Sequence, residues 1–401
     1  MFGKMYRKGL DIWLPGYLRQ VFSKTPPINP DEPVHIMVSV VDHYEPGNGG
    51  VDIQTATDRV TAWVEKYPEM ASRHSDADGV MPQHTFFYPP HYHEADHLER
   101  IVQLSQQGFG EVELHLHHNH HPPFPETDES LRQKIEATLD EYARFGIWGS
   151  ENGNRKYGFI HGNWALDNSC GGEHCGVNNE IMILKESGCY ADFTYPAPDR
   201  CQPRMINTIY YAKSVAFEPK SHDIGEPVEC GKKPWGDLMI IQGPKGVRWR
   251  GRPFASLPCI ESAEIDHTNL PTPRRIDHWV KTNIHVSGKP NWIFIKLHCH
   301  GAPEIDHDSL IGKAADEMFS HLENRYNDGK KYQLHYVTAR EMYNIIKAAE
   351  ASKTGSPNLY RDYLIQKPDY QPKNGVLNGH TNYKIKMFET QNHLSDDTRN
   401  D

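Results

Sequence analysis

Short apolar runs alternate along this chain with stretches whose apolar positions recur every three or four residues, the pattern imposed by strands and amphipathic helices. The first clear strand is Val34 to Val41, and a helix follows over about residues 56–67. Thr85 to Tyr88 reads as a second strand, and residues 94–106 as a helix with Leu98, Ile101 and Leu104 on one face. Glu111 to His117 is the third strand. Thr127 or Asp128 caps a helix carrying Leu131, Ile135, Leu139 and Tyr142 at helical spacing. Gly146 stops it, because glycine tolerates the left-handed backbone of a helix end. Tyr157 to His161 is extended, a helix opens at Asn178 or Asn179 and ends at Gly188, and Tyr190 to Thr194 is extended again.

The alternation loosens over residues 213–270, which are rich in Pro and Gly and hold one clear strand, Leu238 to Gln242. They read as insertions or long loops on the same domain. Order returns with a helix near residues 274–282, the strand Trp292 to His298, a helix from Asp308 to about Tyr326 and the strand Tyr332 to Val337. A capping box, Thr338 to Glu341, starts the last helix. Seven or eight such strand-helix units predict an α/β fold with a parallel sheet, for which a (β/α) barrel is the economical closure. Residues 1–33 are then a basic-aromatic segment, 34–352 the barrel, and 353–401 a polar extension with a disordered end.

With 401 residues, 37% of them hydrophobic and 10% aromatic, the chain has enough apolar surface for a sizeable core, and global disorder is excluded. Its longest apolar runs fall far short of the roughly 18–20 residues of a bilayer span. Residues 1–24 lack the apolar core and cleavage site of a signal peptide, which predicts a cytoplasmic chain. The same segment suits either peripheral contact with an anionic membrane or packing of Ile12, Trp13, Leu14 and Leu18 on the barrel. A net charge of −10 disfavours nucleic acid as a partner. Seven cysteines without a CxxC pair argue against a disulfide framework and fit a reducing compartment, although Cys170 and Cys175 are spaced to clip one loop.

The 25 histidines are the chemical feature to explain, and nine of them lie between His84 and His121. His115 and His117 share a face of a strand, and His121 returns to that face if the chain turns. Neutral imidazoles so placed suit Zn, Fe, Ni or Co, against the plainer reading of a solvated histidine-rich loop. At the end of the first strand, Asp42 suits a general base or a ligand, His43 a ligand, and Glu45 an alternative ligand or its support. A third strand end, Leu297-His298-Cys299-His300, offers His298 as general acid with His300 as the alternative. In a barrel, such C-terminal strand ends converge on one mouth. Arg248 and Arg250 share a face if their segment is extended, and suit a phosphate or carboxylate on a substrate; a solvated basic loop is the commoner outcome. Cys170, His174 and Cys175 are three soft ligands, but their segment reads as a structured substrate loop without metal.

Taken in order, these motifs resemble the polysaccharide deacetylase superfamily, the NodB-homology or carbohydrate esterase family four group. There a first strand ends in paired aspartates, a base followed by a metal ligand, and Asp42-His43 stand in that place, with histidine replacing the second aspartate. The family's two histidines separated by three residues are similar to His117 and His121 before Pro122, with His115 a competing first ligand. Leu297-His298 is similar to the later Leu-His motif of the catalytic histidine. Phe159-Ile-His-Gly-Asn-Trp164 stands where the family keeps an Arg-Pro-Pro-Tyr motif, without its arginine. The resemblance spans about residues 34–350 and implies a deformed (β/α)7 barrel that removes acetyl groups from an N-acetylated sugar. It implies a divalent metal held among His43, His115, His117 and His121, with Asp42 as base, His298 as acid, and Asn163, Trp164 and His300 toward the sugar. The rivals are a glycosidase pairing Asp42 with Glu45, Asp167 or Asp199, and a noncatalytic protein that binds glycan or stores metal.

Overall fold

In the computed structural model, residues 6–23, 28–118, 126–250 and 257–370 are described, without the side chains of Arg250 and Leu257. Helix α1 (Leu10–Phe22) precedes β1 (Val34–His43), α2 (Ile53–Ala71), β2 (His84–Tyr88), α3 (Ala95–Gln106), β3 (Gly110–Leu116) and α4 (Asp128–Ala143). Next come β4 (Gly149–Glu151), β5 (Asn154–His161), α5 (Glu180–Glu186) and β6 (Cys189–Asp192). The middle holds β7 (Ile209–Ala212), β8 (Glu226–Pro227), β9 (Leu238–Ile241), β10 (Gly246–Arg250), β11 (Leu257–Glu261) and β12 (Glu264–Ile265). The chain continues through α6 (Pro273–Thr282), β13 (Trp292–Cys299), α7 (His307–Ile311), α8 (Lys313–Tyr326), β14 (Tyr332–Tyr336) and α9 (Ala339–Glu350).

The architecture is mixed α/β around a large, mostly parallel sheet of order β12-β13-β1-β2-β3-β5-β6-β9-β7-β8. β1 is its hub: β13 runs along one edge, while β14 pairs with Val34–Val38 and β2 with Val40–His43 on the other. Among the described residues, the antiparallel pairings within this sheet are β4 with β5, β7 with β8 and β7 with β9. Beyond β9, the chain comes against β13 so closely that a Cβ on Gly243 would lie 2.2 Å from the Lys296 carbonyl oxygen, so only glycine fits there.

Strand parity sorts the core. Ile36, Val38, Val40 and Tyr44 pack with Val60, Trp63 and Tyr67 of α2, whereas Met37 and Val41 pack with Phe87, Ile160, Phe193, Met239 and Phe294 on the opposite face. A third cluster joins Leu114, Leu116 and Phe159 to Leu131, Ile135, Ile181 and Leu184 of the covering helices. Helix starts follow the capping chemistry: Asp52 accepts from the Thr55 N–H, and capping boxes open α4 at Thr127 and α9 at Thr338.

Three expectations are corrected. Residues 213–270 hold more than the one expected strand, since β8 to β12 lie there and β10 and β11 form their own hairpin, although most of the described residues of this stretch lie outside strands and helices. The expected helix from Asp308 to Tyr326 is two helices that break at Gly312. Residues 353–370 of the C-terminal extension pack on the fold, where Arg361 pairs with Asp76 and Glu341, and Arg340 and Asn344 bind the Arg361 and Ile365 carbonyls; the end expected to be disordered lies outside the described residues. Cys170 bonds to Cys201 and not to Cys175. At the other end, Trp13 is fully buried and Arg200 pairs with Asp11, so α1 packs on the fold, although Leu18 stays 43% exposed. No described helix is long and apolar enough to cross a membrane.

Candidate metal centre

The C-terminal ends of β1 and β3 bring three ligands together. β1 places His43 on the face opposite its helix layer, and Glu45, two residues on, reaches toward β3. His115 lies within β3 and His117 just past its end, so alternation aims both rings the same way. His117 Nε2 is 3.0 Å from His115 Nε2 and 3.0 Å from Glu45 Oε1, and His115 Nε2 is 3.5 Å from the same carboxylate oxygen. His91, after β2, adds a third imidazole with Nε2 3.7 Å from Glu45 Oε1. Gly162 leaves the room that His117 needs, because a Cβ there would lie 2.5 Å from the imidazole.

Proton placement decides what this cluster is. His115 Nδ1 faces the Ile160 carbonyl at 3.0 Å, and His117 Nδ1 faces Asn163 Oδ1 at 3.0 Å. A carbonyl oxygen only accepts, so each Nδ1 carries a proton, and in the neutral form of each ring Nε2 presents a lone pair. Burial pushes His115 below its ordinary value and keeps it a neutral imidazole. Burial alone would raise the Glu45 carboxyl; Nε2–H donation and positive charge at His115 and His117 outweigh it and hold the group well below its usual range, and a cation in place of those protons would do the same. With both rings neutral, two lone pairs and a carboxylate oxygen converge with no proton between them. A divalent cation resolves that repulsion, and ligand separations of about 3 Å are those of donors bound at about 2.0–2.2 Å to one ion.

The cluster opens on a cavity of about 290 Å³ lined by His43, Glu45, Asn48, His91, Tyr92, His117, Asn163, Trp164 and His300. His43 stacks on His300 with ring centroids 4.6 Å apart, meets His115 edge-on at 4.8 Å, and has no hydrogen bond at its Nε2. Asn163 and Trp164 hold left-handed backbone at φ 58° and 56°. That conformation is uncommon for bulky L-residues and costs of order 1–3 kcal/mol, a kind of strain that clusters at functional sites.

Of the expected site residues, His115, His117, His43, Asn163, Trp164 and His300 come together here. His43 packs against the ligands without joining their converging atoms. Asp42 does not face the cavity. It sits on the other face of β1, where Oδ2 is 2.9 Å from His84 Nε2 and Oδ1 accepts the Gly301 N–H at 2.7 Å. His298 is 2% exposed and does not line the cavity. Arg248 pairs with Glu261 at 2.8 Å beside a separate cavity bordered by His267 and Arg275, away from this centre. His121 and the Arg250 side chain lie outside the described residues. Sequence reasoning left His91, Tyr92 and Asn48 unassigned. His91 stands just beyond a strand end, the same signal that marked the other histidines.

No protein-family model matches this chain, and no curated protein matches it in sequence.

Proposed function

We propose that this chain is a metal-dependent hydrolase that removes the acetyl group from the nitrogen of an N-acetylated sugar. The convergence of Glu45 Oε1 with two imidazole lone pairs at the mouth of a cavity carries the reading. A (β/α)7 barrel fits the same layout: residues of β1, β2, β5, β6, β9 and β13 share one inner cluster, and the Gly243 contact with β13 brings the far strands together.

In this reading Glu45, His115 and His117 hold a divalent cation, zinc or else iron, nickel or cobalt, with His91 near enough to join them. Such an ion supplies polarisation of an amide carbonyl and a water of lowered pKa. The chain's own residues do the rest. His43 Nε2, which makes no hydrogen bond among the described residues, takes the proton of the attacking water, and His300 against it returns one to the departing amine. His300 thereby fills the role first assigned to His298. Asn163 fixes the His117 tautomer, and Trp164 and Tyr92 offer aromatic surface to the apolar face of a sugar ring.

A glycosidase is less well supported, because it needs two carboxylates flanking the bond and Glu45 is the one carboxylate among the lining residues. The test is acetate release from N-acetylhexosamine oligosaccharides by the metal-loaded protein. Release that stops on chelation and falls at least about 100-fold in His117→Ala is expected. New reducing ends without acetate, or full release under chelation, would overturn the reading.

A further inference from the structure

A second cluster lies on the opposite side of the same strand ends. His118 follows His117 and, by alternation, turns toward the apolar layer that holds Leu114 and Leu116. His161 ends β5, Cys175 sits in the following loop, and Glu180 is the first residue of α5. All four side chains are buried from solvent, and one potential ligand atom from each lies within 4.8 Å of the others. Glu180 Oε1 is 3.0 Å from His118 Nε2 and 3.5 Å from His161 Nε2, and Cys175 Sγ is 3.6 Å from Glu180 Oε2.

The surrounding groups orient these atoms as ligands. His161 Nδ1 donates to the Gly162 carbonyl, which leaves the lone pair on Nε2. Glu180 Oε2 accepts the Asp167 N–H at 2.6 Å and so aims Oε1 at the two imidazoles. No hydrogen bond reaches His161 Nε2 or Glu180 Oε1, although both are buried. Leaving such groups unsatisfied costs about 1–3 kcal/mol each, and more for a charge.

We infer that His118, His161, Cys175 and Glu180 form a closed, structural zinc site distinct from the Glu45 centre. Two imidazoles, one thiolate and one carboxylate are a four-donor set of the N, S and O types that zinc takes tetrahedrally. The charges also close: a thiolate and a carboxylate against a divalent cation are neutral, the state that a dry interior tolerates. Binding displaces the Cys175 thiol proton to solvent, with no change of oxidation state. The Glu45 cluster, in contrast, opens on a cavity and leaves room for water and substrate. Because His118 adjoins His117, and His161 adjoins Gly162 and Asn163, the closed site would fix the backbone that positions the open one.

The experiment is metal analysis of the full-length protein as purified, followed by exchange with cobalt(II). Two equivalents of metal and a near-ultraviolet sulfur-to-cobalt charge-transfer band are expected. Cys175→Ala should lose one equivalent and the band; His117→Ala should lose one equivalent and keep the band. A cobalt protein without the band, or unchanged metal content in both Cys175→Ala and Glu180→Gln, overturns the inference. If those variants do not fold, zinc X-ray absorption of the unmodified protein decides alone, since absence of a sulfur ligand also overturns it. None of these readouts depends on whether the Glu45 centre is a deacetylase.

Discussion

Glu45→Gln separates a metal centre from an ordinary buried hydrogen-bond cluster by the sign of its effect. The substitution removes one charge and keeps the shape. With metal at about 1,000 times its dissociation constant, binding stabilises the folded state by about 4.1 kcal/mol. Unfolding entropy near 2.1 cal/mol/K per residue over 401 residues is about 0.8 kcal/mol/K, so the metal should raise the melting midpoint by about 5 °C. Loss of a carboxylate ligand that weakens binding about 100-fold leaves about 1.4 kcal/mol of that stabilisation, a drop of about 3 °C. In chelator the expectation reverses. The carboxylate of Glu45 then faces the His115 and His117 lone pairs at 3.5 Å and 3.0 Å with nothing between them, whereas a glutamine N–H can donate to one. One hydrogen bond gained, about 1 kcal/mol, should raise the midpoint by about 1 °C. Thermal melts of both proteins, metal-loaded and chelated, test this. An equal loss in the two conditions would mean that Glu45 is a plain hydrogen-bond acceptor and would sink the metal argument.

Asp42→Asn should lower stability by about 1–3 kcal/mol, because Asp42 is fully buried against His84 and the Gly301 N–H, while turnover per folded molecule stays unchanged; a large fall in turnover with an unaltered melt would restore Asp42 as base. Burial pushes the Glu113 carboxyl up to about 8 from an ordinary 4.5, so between these values the folded state binds a proton that the unfolded chain has lost, and stability falls as pH rises. Glu113→Gln should therefore gain on the parent progressively from pH 5 to 8 in denaturant titrations, and a pH-independent difference would refute the assignment. Trp164→Ala should raise KM for an N-acetylated oligosaccharide about tenfold with a smaller change in kcat, if the ring supports the sugar face. Thiol titration of the denatured, unreduced protein should count five free cysteines, with Cys170 and Cys201 appearing only after reduction.

Much of the fold was legible because each buried strand left a compact apolar run and each helix a capped periodic face. Val34 to Val41 and Trp292 to His298 fall inside β1 and β13, and the Thr338–Glu341 box does open α9. The middle was not legible, because strands of two to five residues such as β8 and β12 are too short to show a period. The Cys170–Cys201 bond joins residues 31 apart, which spacing alone does not select among seven cysteines. In the candidate site, histidine density pointed to the strand ends where Glu45, His115 and His117 converge, but Asp42 was favoured over Glu45 for its place beside His43. Adjacent residues on a strand face opposite ways, so the more prominent of two neighbouring polar groups need not be the one that meets the ligand.

The same parity explains why one histidine-rich run serves two places. His115 and His117 share the face that looks onto the cavity, and the next residue, His118, necessarily looks outward into the layer between the sheet and α4 and α5. β5 repeats the division: Ile160 packs with the inner cluster while its carbonyl holds His115, and His161 turns outward to Glu180. A one-residue slip of β3 against β5 would exchange the two faces, taking His115 and His117 off the cavity and pointing Leu116 into it. Cation binding on both faces would each select the observed register, so losing the outer ligands should lower affinity at the inner centre even though no outer side chain touches it. Cobalt titration of the inner centre in His161→Ala measures that coupling, and an affinity equal to the parent's would show that the two faces are independent.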